Sequence, residues 1–287
     1  MKLSYYPGCS LQGTALDYDR SVRDVCRALD IELVDIPDWN CCGASSAHMT
    51  SHEVGVRLPM RNLLLNRDSN LDILVPCAAC YQRLRAADLE LRHNPQFWDL
   101  KSYDPSFRIL HISSFLAEEE IIAKLGESIQ RPLDTMAVAC YYGCLSLRHP
   151  RITGAADFEM PTTLETIVSA LGATPVKWSH RTECCSGSLT MARPDIARQL
   201  VGDIHTAAKR GGANAFVTDC PMCQANVESR QLDTADSDSL PVFFATELIA
   251  AALSDTYPQK QQKVHLIQPT VMSNIFRKRE SAGEETS

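Results

Sequence analysis

Apolar and polar positions along the chain follow first one period and then another, and the order in which they do so occurs twice. A short apolar run, Lys2-Leu3-Ser4-Tyr5-Tyr6, predicts a strand that ends at the turn residues Pro7-Gly8. Asp19 to Leu29 is apolar at helical spacing, and Ile31 to Ile36 predicts the next strand. From His52 to Asn66 the pattern is helical, with Val56, Met60, Leu63 and Leu64 on one face in spite of Pro59. Leu71 to Val75 predicts a buried strand and Tyr81 to Leu91 a helix. Arg108 to Ile112 predicts a further strand, leading into a helix over Ser114 to Lys124. Lys124 to Leu133, broken by Gly126 and Pro132, reads as a connection.

The same succession then returns. Met136 to Cys144 matches the opening strand and turn, Thr163 to Leu171 the first helix, and Thr174 to Trp178 the second strand. Ile196 to Lys209 is helical, Ala215 to Thr218 is a strand, and Pro241 to Ala245 with the helix Glu247 to Leu253 closes the series. A repeat that fills half a chain indicates a duplicated domain rather than a solenoid. Strands alternating with helices predict an α/β fold with parallel sheets. The expectation is two pseudo-symmetric Rossmann-like halves, residues 1–130 and 131–270, followed by a polar tail over 271–287. Arg277 to Ser287 in particular reads as disordered.

Composition narrows the class. At 287 residues, with 45% hydrophobic and 22% charged residues, the chain has material for two ordinary cores. A formal net charge of −7 argues against nucleic-acid binding, which calls for a basic face. No stretch is long and apolar enough to predict a membrane span. The opening MKLSYYPGCS has no apolar leader segment, so a cytoplasmic location is expected. Structural disulfides are rare there, and the twelve cysteines read as ligands or redox groups.

Ten of them form a pattern that follows the repeat. Cys9, the pair Cys41-Cys42, and Cys77 with Cys80 make the first set. Cys144, the pair Cys184-Cys185, and Cys220 with Cys223 make the second. Residues 42 to 77 and 185 to 220 both span 35 positions, whereas the approaches from 9 to 41 and from 144 to 184 differ. Each motif follows a predicted strand, and open α/β sheets bind ligands at the carboxyl ends of their strands. Motifs far apart in sequence can therefore meet at one point in each half.

Three kinds of site compete for five thiols. A zinc knuckle uses four ligands in a tetrahedron, and a vicinal pair fits poorly on one small ion. A thioredoxin-like dithiol explains only Cys-x-x-Cys and leaves three cysteines idle. A cubane iron–sulfur cluster takes four thiolates and leaves one over.

The residues Tyr6-Pro7-Gly8-Cys9-Ser10, Cys41-Cys42-Gly43-Ala44, Cys77-Ala78-Ala79-Cys80, Tyr142-Gly143-Cys144, Cys184-Cys185 and Cys220-Pro221-Met222-Cys223-Gln224 resemble the CCG-domain proteins, most closely the family of heterodisulfide reductase B subunits. The resemblance spans roughly residues 1–255 and implies two noncubane [4Fe-4S] clusters. By that resemblance Cys9, Cys41, Cys42, Cys77 and Cys80 hold one, and Cys144, Cys184, Cys185, Cys220 and Cys223 the other. It also implies the catalytic component of a complex that cleaves, or in reverse forms, a disulfide between thiol cofactors or sulfane sulfur on a carrier. Electrons would come from an iron–sulfur partner resembling the C subunit of heterodisulfide reductase. The alternative is an electron-transfer component docked on a succinate, glycerol-phosphate or lactate dehydrogenase.

The chain departs from the family pattern at three places. Ser186-Gly187 follows the second pair where glycine is expected at once, which predicts a turn shifted by one residue. Tyr141 and Leu145 stand where histidines accompany the second lone cysteine. Cys140 is an extra cysteine on the strand before it and reads as a buried bystander. Cys26 falls on a helical apolar stripe whose repeat counterpart is Val168, so it reads as core. His48 and His52 follow the first pair and are candidates to orient substrate or supply a proton, against the simpler reading of a solvated pair. Arg148, His149 and Arg151 would suit an anionic thiol, and a solvated charge run explains them equally; Glu118 to Glu120 reads as an exposed helix face.

Overall fold

A computed structural model of the chain describes residues 1–44, 46–233, 238–254 and 264–276. In chain order the first half comprises β1 (Lys2–Tyr5), α1 (Gly8–Leu11), α2 (Leu16–Ala28), β2 (Glu32–Asp35), α3 (Ala47–Thr50), α4 (His52–Asn66), β3 (Ile73–Val75), α5 (Ala78–His93) and β4 (Ile109–His111). Two helices follow, α6 (Ile112–Leu116) and α7 (Glu119–Ser128). The second half continues with β5 (Ala137–Cys140), α8 (Pro150–Thr153), α9 (Thr163–Ala170), β6 (Thr174–Pro175) and α10 (Pro194–Arg210). It closes with β7 (Ala215–Thr218), α11 (Pro221–Gln231), β8 (Val242–Phe244) and α12 (Ala245–Ala252).

Among the described residues the strands form two sheets, both wholly parallel, in the orders β2-β1-β3-β4 and β6-β5-β7-β8. Each sheet thus runs second, first, third, fourth, and the two halves match the two copies of the cysteine pattern. The expected α/β fold with two Rossmann-like halves is what the chain adopts. The central strands are buried on both faces, as parallel sheets covered by helices require: Ile73, Leu74 and Val75 in one, Ala215, Phe216 and Val217 in the other.

The chain divides into two compact units. One comprises Met1–Phe115 with Cys144–Met160, the other Leu116–Gly143 with the chain from Pro161 onward. The 144–160 stretch joins the first unit through α8, whose Thr153 carbonyl accepts from the Tyr81 hydroxyl at 2.6 Å and whose Ile152 carbonyl accepts from Arg85 at 3.2 Å. In the second unit the amides of Gln130 and Arg131 both bind the Ala252 carbonyl at 3.0 Å, tying the chain after α7 to α12.

Several boundaries differ from the sequence expectation. The helix predicted over Ser114 to Lys124 is two helices, because Glu118 is extended (φ −60°, ψ 139°) and serves as the N-cap of α7. The connection predicted to begin at Lys124 starts later, since α7 runs through Gly126 to Ser128. A Cβ at Gly126 would meet nothing, so this glycine answers no packing constraint and costs only about 1 kcal/mol of helix propensity. Residues 271–276, within the stretch expected as polar tail, are helical and bury Met272, Ile275 and Phe276; Arg131 lies 4.3 Å over the Phe276 ring. The expected disorder of 277–287 lies outside the described residues.

Candidate metal centre

Each cysteine motif follows the carboxyl end of a strand, closely after β1, β3, β5 and β7 and across a longer loop for the pairs after β2 and β6. After β1 the chain enters α1 at Gly8, whose φ of +71° is open to glycine and strained for other residues. A Cβ there would come within 2.9 Å of the Cys80 sulfur. Gly143 repeats the arrangement after β5, with φ +64° and the Cys223 sulfur 2.9 Å from the place of a Cβ. The glycine before each lone cysteine therefore opens a cradle at the second sulfur of each Cys-x-x-Cys.

Cys77 is the N-cap of α5 and Cys220 the N-cap of α11, both in extended backbone. Cys80 and Cys223 consequently lie in the first helical turn, beside its free amides.

In the first set the five sulfurs form a chain. Cys9 lies 3.6 Å from Cys41, and Cys42 lies 3.2 Å from Cys80. Hydrogen bonds between Cys41 and Cys42 and between Cys77 and Cys80 complete the links. Hydrogen bonds from Cys41 and then Cys80 lower the Cys42 thiol to about 3, against its burial. The same bond to Cys42 raises Cys41, and bonds to Cys42 and Cys77 raise Cys80. Among these three sulfurs negative charge is favoured on Cys42 and disfavoured on Cys41 and Cys80, as expected of thiols held close together. Cys42, Cys77 and Cys80 are buried, whereas Cys9 and Cys41 are exposed.

In the second set Cys185 lies 3.6 Å from Cys223, and bonds to Cys185 and Cys220 raise the Cys223 thiol. Cys185, Cys220 and Cys223 are buried and Cys184 is exposed. Cys144 is partly exposed and heads the stretch that belongs to the first compact unit.

The turn after the second pair is not displaced, contrary to the sequence expectation. Gly43 has φ +72° and its amide donates to the Cys41 sulfur at 3.4 Å; Ser186 has φ +62° and its amide donates to the Cys184 sulfur at 3.3 Å. Serine occupies the left-handed position itself. At Gly43 a Cβ would collide with Ala47 and Leu58 at 2.6 and 2.8 Å, a crowding that forces glycine in the first half.

Other supports are invisible in the sequence. The Tyr6 hydroxyl donates to the carbonyl of Asn40, just ahead of the first pair, and Tyr141 donates to the carbonyl of Glu183, just ahead of the second, both at 2.8 Å. Asn62 grips Asn40 from the other side, accepting from its amide and donating to its carbonyl, each at 2.9 Å. The one available signal is the tyrosine three residues before each lone cysteine. Asn226, in α11, donates to the Cys185 carbonyl.

Cys26 is buried in the core of its half, as its spacing predicts. Cys140 is also buried, with burial and then Glu165 pushing its thiol up. His48 and His52 line a cavity of about 430 Å³ together with Arg83, Glu90, His93 and Ile152. His52 Nε2 lies 3.6 Å from Glu90 Oε1. Burial lowers the half-buried Arg83 guanidinium, while the Cys42 charge acts the other way, which places this cation within electrostatic reach of the first thiol set.

The donor set fits a polynuclear iron–sulfur centre. Among the described residues no group of three or more His, Cys, Asp or Glu side chains is arranged around one metal ion. What the fold assembles instead is a string of soft thiols, largely shut from water, with a glycine cradle against its inner end. In addition, no helix among the described residues is long and apolar enough to cross a membrane.

Comparison with known proteins agrees with this geometry. The cysteine-rich CCG domain matches residues 3–85 and 138–228, one copy per cysteine set. The 8-methylmenaquinol:fumarate reductase membrane anchor subunit of Wolinella succinogenes is 29% identical over 263 residues, covering 88% of this chain and 92% of its own. The B subunit of the ferredoxin:CoB-CoM heterodisulfide reductase of Methanosarcina mazei is 27% identical over 268 residues, covering 88% and 89%. Among solved structures, a hypothetical protein from Helicobacter pylori superposes with a TM-score of 0.68 at 12% identity, over 92% of this chain and 51% of that one, a likeness of fold alone.

Proposed function

The chain belongs to the CCG cysteine-rich domain family, and from that premise we propose that it is the cluster-bearing redox component of a heterodisulfide reductase-like complex. In this reading Cys9, Cys41, Cys42, Cys77 and Cys80 hold one noncubane [4Fe-4S] cluster, and Cys144, Cys184, Cys185, Cys220 and Cys223 hold a second. When bound, such clusters supply one-electron chemistry and a soft site for sulfur. The net reaction breaks the S–S bond of a small disulfide. Two electrons arrive from an iron–sulfur partner of the C-subunit kind, two protons come from solvent, and two thiols leave. Reversal forms the disulfide or acts on sulfane sulfur carried by a thiol. The reading places the protein in the cytoplasm, where thiols stay reduced.

One observation carries this reading. Cys9 and Cys41 are exposed while Cys42, Cys77 and Cys80 are buried, so a sulfur substrate can reach one side of the set and water is kept from the other. The chain's own residues have three tasks: Tyr6 and Asn62 hold the pair in place, Gly8 leaves room at Cys80, and Arg83 brings a positive charge to a cavity, lined also by His48, His52 and Glu90, where an anionic thiol could bind. The test is turnover of a small disulfide by the anaerobically purified, chemically reduced chain. Release of two thiols per disulfide supports the proposal.

The similarity to a fumarate reductase component favours a second reading, in which the chain only passes electrons to a dehydrogenase or reductase of a different substrate. A chain that is reoxidised by such a partner and leaves disulfides intact would establish it.

A further inference from the structure

The two halves use different residues at one position, and the difference leaves a polar group without a protein partner. Gly43 and Ser186 occupy the same left-handed turn, with φ of +72° and +62°, and both amides bind the first sulfur of their pair. Glycine adopts this conformation freely, whereas serine is strained in it by roughly 1 kcal/mol or more. Ser186 is nevertheless only 2% exposed, and its hydroxyl has no hydrogen-bond partner. A buried hydroxyl left unpaired adds a further penalty. A residue that is costly in backbone conformation and again in side-chain burial is accounted for when a missing partner stands beside it. That hydroxyl is three covalent bonds from an amide nitrogen lying 3.3 Å from the Cys184 sulfur.

We infer that the Ser186 hydroxyl donates a hydrogen bond to the sulfur of the cluster in the second half, and that this sets the second cluster at a higher reduction potential than the first. The inference rests on the reading that both halves hold clusters. Hydrogen bonds to cluster sulfurs stabilise the more negatively charged, reduced state. The corresponding turn of the first half offers no counterpart, because Gly43 has no side chain and the space beside it is filled by Ala47 and Leu58. The two centres of a duplicated domain are thereby made unequal, and the second accepts an electron first.

The experiment compares the full-length wild-type chain with Ser186→Gly and Ser186→Ala, all purified anaerobically with clusters in place. Iron and sulfide are counted, each sample is titrated with redox dyes under EPR, and the coupling of exchangeable deuterons to each cluster is recorded. In both variants iron content stays at the wild-type value while one of the two midpoints falls. At the wild-type midpoint of that centre the ratio of reduced to oxidised cluster drops about tenfold, equivalent to about 59 mV for a one-electron couple. The other midpoint stays in place, and one deuteron coupling disappears. Unchanged midpoints in both variants overturn the inference and leave the two-cluster reading standing. A shift in Ser186→Gly alone also overturns it, since relief of the backbone would then be the cause. A wild-type chain with a single cluster overturns both.

Discussion

The Tyr6 hydroxyl donates to the carbonyl of Asn40 at 2.8 Å, joining the turn that carries the lone cysteine to the residue that precedes the pair. Tyr141 makes the same bond to Glu183 in the other half. Motifs about 30 residues apart are thus fixed to one another before any metal arrives, which lowers the entropic cost of assembling a site from separate loops. Tyr6→Phe removes this bond and leaves the ring packed, so stability falls by about 1 kcal/mol and iron is lost faster to a chelator. Asn62→Leu, which strips both the amide and the carbonyl of Asn40 of a partner, does so more severely. Thermal unfolding and chelator kinetics on both variants check the order.

Gly8→Ala and Gly143→Ala place a methyl 2.9 Å from the Cys80 and the Cys223 sulfur, respectively, in a backbone region unfavourable to alanine. Each is expected to cost about 1–3 kcal/mol and to empty or distort one site only. Iron content near half the wild-type value in either variant, with the remaining EPR signal unaltered, is the expected result. Loss of iron from both sites in a single variant would show that the halves do not load independently.

Much of this is legible in the residues themselves. The strands Ile73 to Val75, predicted from Leu71, and Ala215 to Thr218 announce themselves as apolar runs because parallel strands are buried on both faces. The helix His52 to Asn66 is predicted to its observed limits, since its apolar spacing continues through Pro59 and the ring costs the helix only the donor to the Gly55 carbonyl. The cysteine sets stand out because five soft ligands in a repeated spacing suit little besides a metal cluster. What escapes a reading of the sequence are features without a period. The four-residue helices Gly8–Leu11 and Pro150–Thr153 carry no amphipathic signal, and the break at Glu118 is a matter of one residue's backbone. Ser186 suggests a displaced turn in the sequence, because a left-handed serine is a costly choice that only its buried surroundings explain.

Cys26 and Cys140 are buried and separate from the thiol sets in chemistry: burial dominates both shifts, lifting Cys26 to about 12 and Cys140 upward, with Glu165 beside the latter. Cys26→Val and Cys140→Ala are therefore expected to leave iron and sulfide unchanged. Stability falls by less than about 1.5 kcal/mol for the near-isosteric first change and by about 1–2 kcal/mol for the second. Metal analysis of the two variants checks this. A loss of iron in Cys140→Ala would make that cysteine a participant in the second site.

His265 is buried beside two carboxylates, 3.0 Å from Glu228 and 3.3 Å from Glu247. Burial opposes its charge, yet the hydrogen bonds and charges of Glu228 and Glu247 prevail and raise it from 6.5 to about 10. A group whose folded value is raised adds stability fully below its unfolded value and loses it as pH climbs through the folded one. The protein should accordingly melt at progressively lower temperature from about pH 6.5 to pH 10, by several degrees in all. His265→Gln should lie below wild type at pH 6 and flatten this slope. Parallel slopes in the two proteins would contradict the assignment.

Whether each half holds a polynuclear iron–sulfur centre is tested most directly by counting metal. Anaerobic purification of the wild type, Cys41→Ala and Cys184→Ala is followed by iron, sulfide and zinc analysis with EPR. About eight irons per wild-type chain with matching sulfide are expected, and about half of that in either variant. Zinc without sulfide would contradict two such centres and take the disulfide chemistry with them, as would a Cys184→Ala chain that keeps all its iron.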